Sequence, residues 1–232
     1  MLPIKDTIRS QTFPLVNWLL IAANVLAFFY EQSLPSRALE QFFLHFALVP
    51  GLINPLHPAT LLPFFTHMFL HGSWLHIISN VWVLFIFGDN VEDRMGSGRF
   101  LLFYLLGGLF AGLIQFAISP GSMVPVLGAS GAIAAVMGAY FFYYPRAKVL
   151  TLIPVFILPW FVEIPSIVFL GFWFVSQIFS GFSSLVASAG MDVGGVAWFA
   201  HIGGFLFGLL MARPFCHRVC QPGWHPDEYY PW

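Results

Sequence analysis

Six apolar segments divide this chain, roughly Pro14–Tyr30, Trp74–Phe87, Phe100–Ile118, Val124–Tyr144, Ile167–Leu185 and Val196–Ala212. Most have about the 17 or more residues needed to cross a bilayer as a helix. The second is short, but it can extend upward through Leu70 and Phe69. Charged residues make up 8% of the chain, against about 25% in soluble domains, too few to cover a globular surface. The pattern predicts an all-α, polytopic membrane protein: a bundle of six transmembrane helices with a long outer first loop. Net charge is −1 and no Gly-rich phosphate loop occurs, so nothing points to a nucleic-acid partner.

Basic residues orient the bundle, because Lys and Arg gather on the cytoplasmic side of spans. With the amino terminus inside, Lys5, Arg9, Arg94, Arg99, Arg146, Lys148, Arg213 and Arg218 all fall inside. Of the nine basic residues, only Arg37 falls outside. The first segment follows Lys5, Asp6 and Arg9 without a small-residue cleavage site, so it reads as a retained span. The apolar stretch Val149–Val162 is broken by Pro154 and Pro159. A seventh crossing there would put Arg213 and Arg218 outside, so it reads as the lead-in to the fifth span. The expected organisation is a cytoplasmic segment 1–13, a membrane domain 14–212 and a short cytoplasmic tail 213–232. The long, nearly uncharged outer segment Leu34–Ser73 is expected to form a structured cap in the interface, since irregular backbone at membrane depth needs protein cover.

Polar groups inside spans are expensive and are functional candidates by default. They are His67, His71, His76 and Asn80 near the second span, Ser130 in the fourth, Glu163 before the fifth and His201 in the sixth. Spans two, four and six all start on the outer side. His76, Asn80, Ser130 and His201 each lie a few residues in, so at ~1.5 Å per residue they share a depth of roughly 5–10 Å. Gly131, Ala135 and Ala139 on span four, and Ala200, Gly204, Gly208 and Ala212 on span six, recur every four residues. Such stripes let helix backbones approach closely.

A serine hydroxyl needs a base to take its proton. His201 is the only intramembrane histidine outside the His67–His76 cluster and so the natural base for Ser130. No orienting acid is evident, since Asp192 and Glu163 lie in or next to loops and Asp89, Glu92 and Asp93 lie at the inner end of span two. The pair reads as a Ser–His dyad. His76 and Asn80, four residues apart, share a helix face and can donate to an oxyanion together with the Ser130 N–H. Alternatives remain at this point. Ser130 in a Gly/Ala-rich helix can be a packing residue, and Asn80 an interhelical hydrogen bond. His67 and His71, at i, i+4 spacing, can be metal ligands, although no HExxH frame exists. A small transporter lacks its usual paired intramembrane acids and bases.

Three motifs, His67-x3-His71-x4-His76-x3-Asn80, Gly128-Ala129-Ser130-Gly131 and Ala200-His201-x2-Gly204-x3-Gly208, occur in this order. With them the chain resembles the rhomboid intramembrane serine proteases, in their bacterial six-helix form, over nearly its whole length. The resemblance implies an endopeptidase that cleaves transmembrane segments of other membrane proteins near their outer end, without a cofactor or metal. It implies Ser130 as nucleophile, His201 as base, and His76, Asn80 and Ser130 as the oxyanion group. Gly128, His71 and His67 are then supporting residues, and Glu92 anchors the inner end of span two. It further implies an integral protein of the bacterial inner membrane, with both termini cytoplasmic and membrane proteins and lipid as its partners. Two features depart from the family pattern: the first loop lacks a Trp-Arg pair, and Ala134 stands where some relatives carry an aromatic beside the base. The family's non-catalytic, client-binding members are the alternative; they typically lack the serine or the histidine.

Overall fold

The computed structural model describes residues 1–155, 158–188 and 195–217. Asp192, Arg218 and most of the 213–232 tail lie outside the described residues. The elements in chain order are β1 (Leu2–Asp6), α1 (Leu15–Ser33), α2 (Ser36–Phe46), the one-turn α3 (Pro63–Thr66), α4 (Trp74–Met95), α5 (Ser97–Ile118), α6 (Ser130–Tyr143), β2 (Lys148–Val155), β3 (Leu158–Pro165), α7 (Ser166–Ser188) and α8 (Trp198–Phe215). The protein is a polytopic helical membrane protein. Helices α1, α4, α5 and α7 are each long and apolar enough to cross a membrane. Helix α6 is apolar but has 14 residues, and α8 has 18 and carries His201 and Arg213.

The shortness of α6 has a local cause. Pro125 and Gly128, the latter at φ 125°, keep the chain before Ser130 out of helix, since only glycine takes that backbone conformation without strain. Val124–Leu127 forms a loop instead, pinned by a bridge between Val126 and Leu48. The fourth segment is thus helical only from Ser130, which opens the helix and does not sit inside it. Fourteen residues rise about 21 Å against a hydrocarbon core of about 30 Å. A helix level with its neighbours at the inner end therefore begins about 9 Å below the outer boundary.

The second segment extends the other way from expectation. Leu70 is extended (φ −95°, ψ 147°), and α4 starts at Trp74, where Ser73 Oγ accepts the His76 N–H. The helix runs inward to Met95, and Gly96 at φ 77° turns it into α5. Glu92, Asp93 and Arg94 are buried. The start of α1 has no side-chain cap of its own. Glu92 supplies one from α4: its carboxylate accepts the N–H groups of Val16 (3.1 Å) and Asn17 (2.7 Å) and the Ser97 hydroxyl (2.6 Å). A carboxylate there also meets the positive end of the α1 dipole. Arg94 Nε donates to Tyr144 Oη (2.6 Å) and lies over its ring.

Residues 149–162 correct the expected lead-in to the fifth span. They form an antiparallel hairpin, β2–β3, in which Pro154 faces Pro159, and β1 adds to its other edge with Leu2 opposite Leu152. Lys148 and Glu163 pair at its exposed base (2.8 Å). Asp6, at the end of β1, accepts from Tyr140 Oη (2.5 Å) and Asn90 Nδ2 (2.8 Å), tying the sheet to α6 and α4. The outer segment 34–73 forms α2 and short turns that bury Ala47, Leu48, Val49 and Met68, a structured cap as expected.

Helix α6 is the centre of the bundle, with residues 131–140 all buried. It touches α8 backbone to backbone. A Cβ added at Gly204 would strike the Gly131 carbonyl, one at Gly208 the Ala135 carbonyl, and one at Gly138 the Phe205 carbonyl. The small stripes meet as read, except that Gly138, and not Ala139, is the third close approach.

Candidate active site

The α6–α8 contact sets the distance between two side chains. Ser130 opens α6, and His201 lies in the first turn of α8, three residues before Gly204. Ser130 Oγ is 2.8 Å from His201 Nε2. On its far side the imidazole Nδ1 is 2.8 Å from Gln177 Oε1, on α7. His201 and Gln177 are buried. The indole rings of Trp173 and Trp198 pack against His201 at centroid distances of 5.9 and 6.2 Å. Gln115 Oε1 accepts the Ala200 N–H (3.2 Å) and steadies the start of α8.

A cavity of about 1140 Å³ opens onto this pair, and His76, Asn80, Ser130, Trp173, Gln177 and His201 are among its lining residues. Asn80 Nδ2 is buried there without a hydrogen-bond partner, a donor with unused capacity. His76 Nε2 and Ser130 Oγ both lie within 4 Å of where a Gly128 Cβ would stand. Gly128 therefore gives space as well as a permissive φ. The N–H groups opening α6 have no intrahelical acceptor, and the positive end of its dipole faces the cavity.

His67 Nδ1 donates to the Pro63 carbonyl (2.8 Å), and the His67 carbonyl accepts the Gly128 N–H (2.9 Å). The first loop thus holds the loop that precedes Ser130. His71 presents its edge to the His76 ring at 5.0 Å, and its N–H donates to the buried Glu31 carboxylate (3.3 and 3.2 Å). The chain leaves the helical conformation between His67 and His71, so the two do not share a helix face, and the i, i+4 ligand geometry does not form. Glu163 is at the sheet and stays away from the cavity.

Gln177 and Glu31 were absent from the polar residues picked out by sequence. Gln177 was visible as an amide in the middle of an apolar span, the same signal that singled out Asn80. Glu31 closes α1 as an acid in an otherwise uncharged helix.

A helical membrane bundle that holds a serine and a histidine in contact beside an open cavity defines a narrow class of proteins. The Rhomboid domain model matches residues 58–218, and the chain belongs to the rhomboid family. It is 30% identical to presenilin-associated rhomboid-like protein A, mitochondrial, of Danio rerio, over 67% of this chain and 38% of that protein. It is 28% identical to the human presenilin-associated rhomboid-like protein, over 82% of this chain and 45% of that one. Rhomboid protease GlpG of Salmonella newport (strain SL254) is 26% identical, over 90% of this chain and 66% of its own length. The chain thus spans less than half the length of the two mitochondrial relatives.

Proposed function

We propose that this rhomboid-family protein is an intramembrane serine endopeptidase that cleaves transmembrane segments of other proteins. The observation that carries this reading is the 2.8 Å contact between Ser130 Oγ and His201 Nε2 beside an unpaired Asn80 amide. Ser130 Oγ attacks the scissile carbonyl carbon while His201 Nε2 takes the hydroxyl proton. The carbonyl oxygen becomes an oxyanion, stabilised by donors from His76, Asn80 and the Ser130 N–H. Collapse breaks the C–N bond, and His201 returns the proton to the leaving amine. Water then attacks the acyl-enzyme with His201 again as base, releasing the new carboxyl end and restoring Ser130. The residues that do this belong to the chain itself, with no metal or cofactor assigned.

A helical substrate engages its carbonyls in hydrogen bonds, so the segment must unwind before cleavage. Gly or Pro near its outer end would ease this. The charge bias favours the inner face, with segments 1–13 and 213–232, as the cytoplasmic side of a 14–212 membrane domain. A bacterial inner membrane fits the GlpG relative, whereas the presenilin-associated relatives are mitochondrial. Ser130→Ala should abolish cleavage of a reporter transmembrane substrate in proteoliposomes and abolish labelling by a fluorophosphonate probe. Full cleavage by the variant would sink the assignment. A wild-type protein that binds membrane clients but neither cleaves nor labels would favour the client-binding reading.

A further inference from the structure

We infer that Gln177 is the positioning residue of the base, a neutral substitute for the acid that completes a serine triad. The inference rests on the endopeptidase reading above. Its geometry leaves one arrangement of protons. Ser176 Oγ–H donates to the Trp173 carbonyl (2.6 Å), so the serine faces Gln177 with a lone pair. Gln177 Nε2 donates to that oxygen (3.0 Å) and to the Trp173 carbonyl (3.3 Å). A carbonyl only accepts, so the amide nitrogen is fixed on the Trp173 side and Oε1 faces His201. Turning the amide over would set an oxygen against the Trp173 carbonyl and an NH2 against the imidazole. With Oε1 at 2.8 Å, His201 Nδ1 carries the hydrogen and Nε2 is left with its lone pair toward Ser130. This is the tautomer a general base requires.

The choice of an amide follows from the surroundings. Gln177 is buried, on a helix long and apolar enough to cross a membrane. A carboxylate there would carry a heavy desolvation cost. The amide orients the ring at no charge cost and gives up the extra stabilisation a carboxylate would lend the imidazolium. The positioning residue comes from α7, while nucleophile and base come from α6 and α8. The three helices therefore meet at one imidazole, and Trp173, one turn before Gln177, packs on the same ring.

The test uses the full chain in proteoliposomes with a fluorogenic transmembrane substrate. Gln177→Leu keeps the volume and removes the acceptor. It should lower kcat roughly 10- to 100-fold, the range seen when a metal-bound histidine loses its orienting partner, with KM close to wild type. Gln177→Glu restores an acceptor. It should recover activity relative to Gln177→Leu and move the acid limb of the pH–kcat/KM profile to higher pH, because a carboxylate favours the protonated ring. An unchanged kcat in Gln177→Leu overturns the inference. If Gln177→Leu does not fold, an acid limb unmoved in Gln177→Glu overturns it. Both outcomes leave the endopeptidase reading intact, because that reading fails only if the wild type itself neither cleaves nor labels at Ser130.

Discussion

The backbone contact between α6 and α8 makes a quantitative prediction for Gly204→Ala. An added Cβ would lie 3.0 Å from the Gly131 carbonyl carbon and 3.2 Å from Ala134 Cβ, and closer still to the Gly131 carbonyl oxygen. None of these is the free end of a flexible side chain. Unstrained heavy-atom contacts begin near 3.5 Å, so the helices must part by about 1 Å. Gly131 adjoins Ser130, and Gly204 is one turn from His201, so the Ser130–His201 contact takes most of that displacement. A contact of 2.8 Å becomes one of nearly 4 Å, beyond hydrogen-bond range. A misplacement of about 1 Å costs about 100-fold in rate, or about 2.7 kcal/mol of barrier. Overpacking should cost a further 1–3 kcal/mol, roughly, in stability. Steady-state cleavage kinetics and thermal unfolding, run together, separate the two effects. Gly98→Ala is the control, since nothing lies within 4 Å of the added carbon, and it should behave as wild type. A Gly204→Ala variant with wild-type kcat and thermal midpoint would refute the view that these glycines set the distance between Ser130 and His201.

Two further expectations concern the inner end. Glu92→Ala strips the side-chain cap from the start of α1 and leaves the Val16 and Asn17 N–H groups without their acceptor. A loss of about 3 kcal/mol follows from the usual cost of buried unpaired groups, to be read as a lowered thermal midpoint; a midpoint within a degree of wild type would contradict it. Burial raises the Asp6 carboxyl from its ordinary value of 3.8 to about 7, against the opposing hydrogen bond from Tyr140 and with a smaller push from Asp89. A raised folded value means the docked strand prefers the protonated acid. This contribution is complete below about pH 4 and is lost as pH rises through about 7. Hydrogen exchange of β1 amides, corrected for intrinsic rates, should show weaker protection at pH 8 than at pH 5. Asp6→Asn should flatten that difference, and an equal pH dependence in both proteins would rule the effect out.

What could be read in the sequence depended on how local its physical cause was. The helices announce themselves because a bilayer demands long apolar runs. The α6–α8 approach follows from four-residue spacing of small residues, and Ser130 and His201 share a depth because both open inward-running segments. The strands were hidden. Val149–Val162 is as apolar as a span, and its prolines read as breakers when they in fact face one another across a hairpin. Its third strand comes from residues 2–6, a pairing no local pattern encodes. The start of α6 was misplaced because apolarity was weighed over Pro125 and Gly128. Gln177 escaped for a different reason: its importance lies in Oε1 facing one nitrogen of a ring 24 residues away, a fact of tertiary geometry. Glu92 came through the family resemblance, and its partners at the start of α1 only through the fold.

The small sheet also acts as a parity check on the threading of the chain. Thr7 N–H bonds to the Lys148 carbonyl (3.0 Å), and His217 N–H to the Arg94 carbonyl (2.9 Å). Hydrogen bonds of that length cannot reach across a core of about 30 Å, so each pair of residues shares a face of the membrane. The number of crossings between residues 7 and 148 must be even, as must the number between 94 and 217. In the first interval α2 and α3 are too short to cross, which leaves four helices, α1, α4, α5 and α6; another four, α5 to α8, fill the second. This count makes no use of charge. With the Asp6–Asn90 bond (2.8 Å) joining the two pairs, the β1 strand, the α4–α5 corner, the hairpin and the end of α8 fall in one compartment, whichever compartment that is. A probe that reaches any one of them from a given side should reach all four from that side.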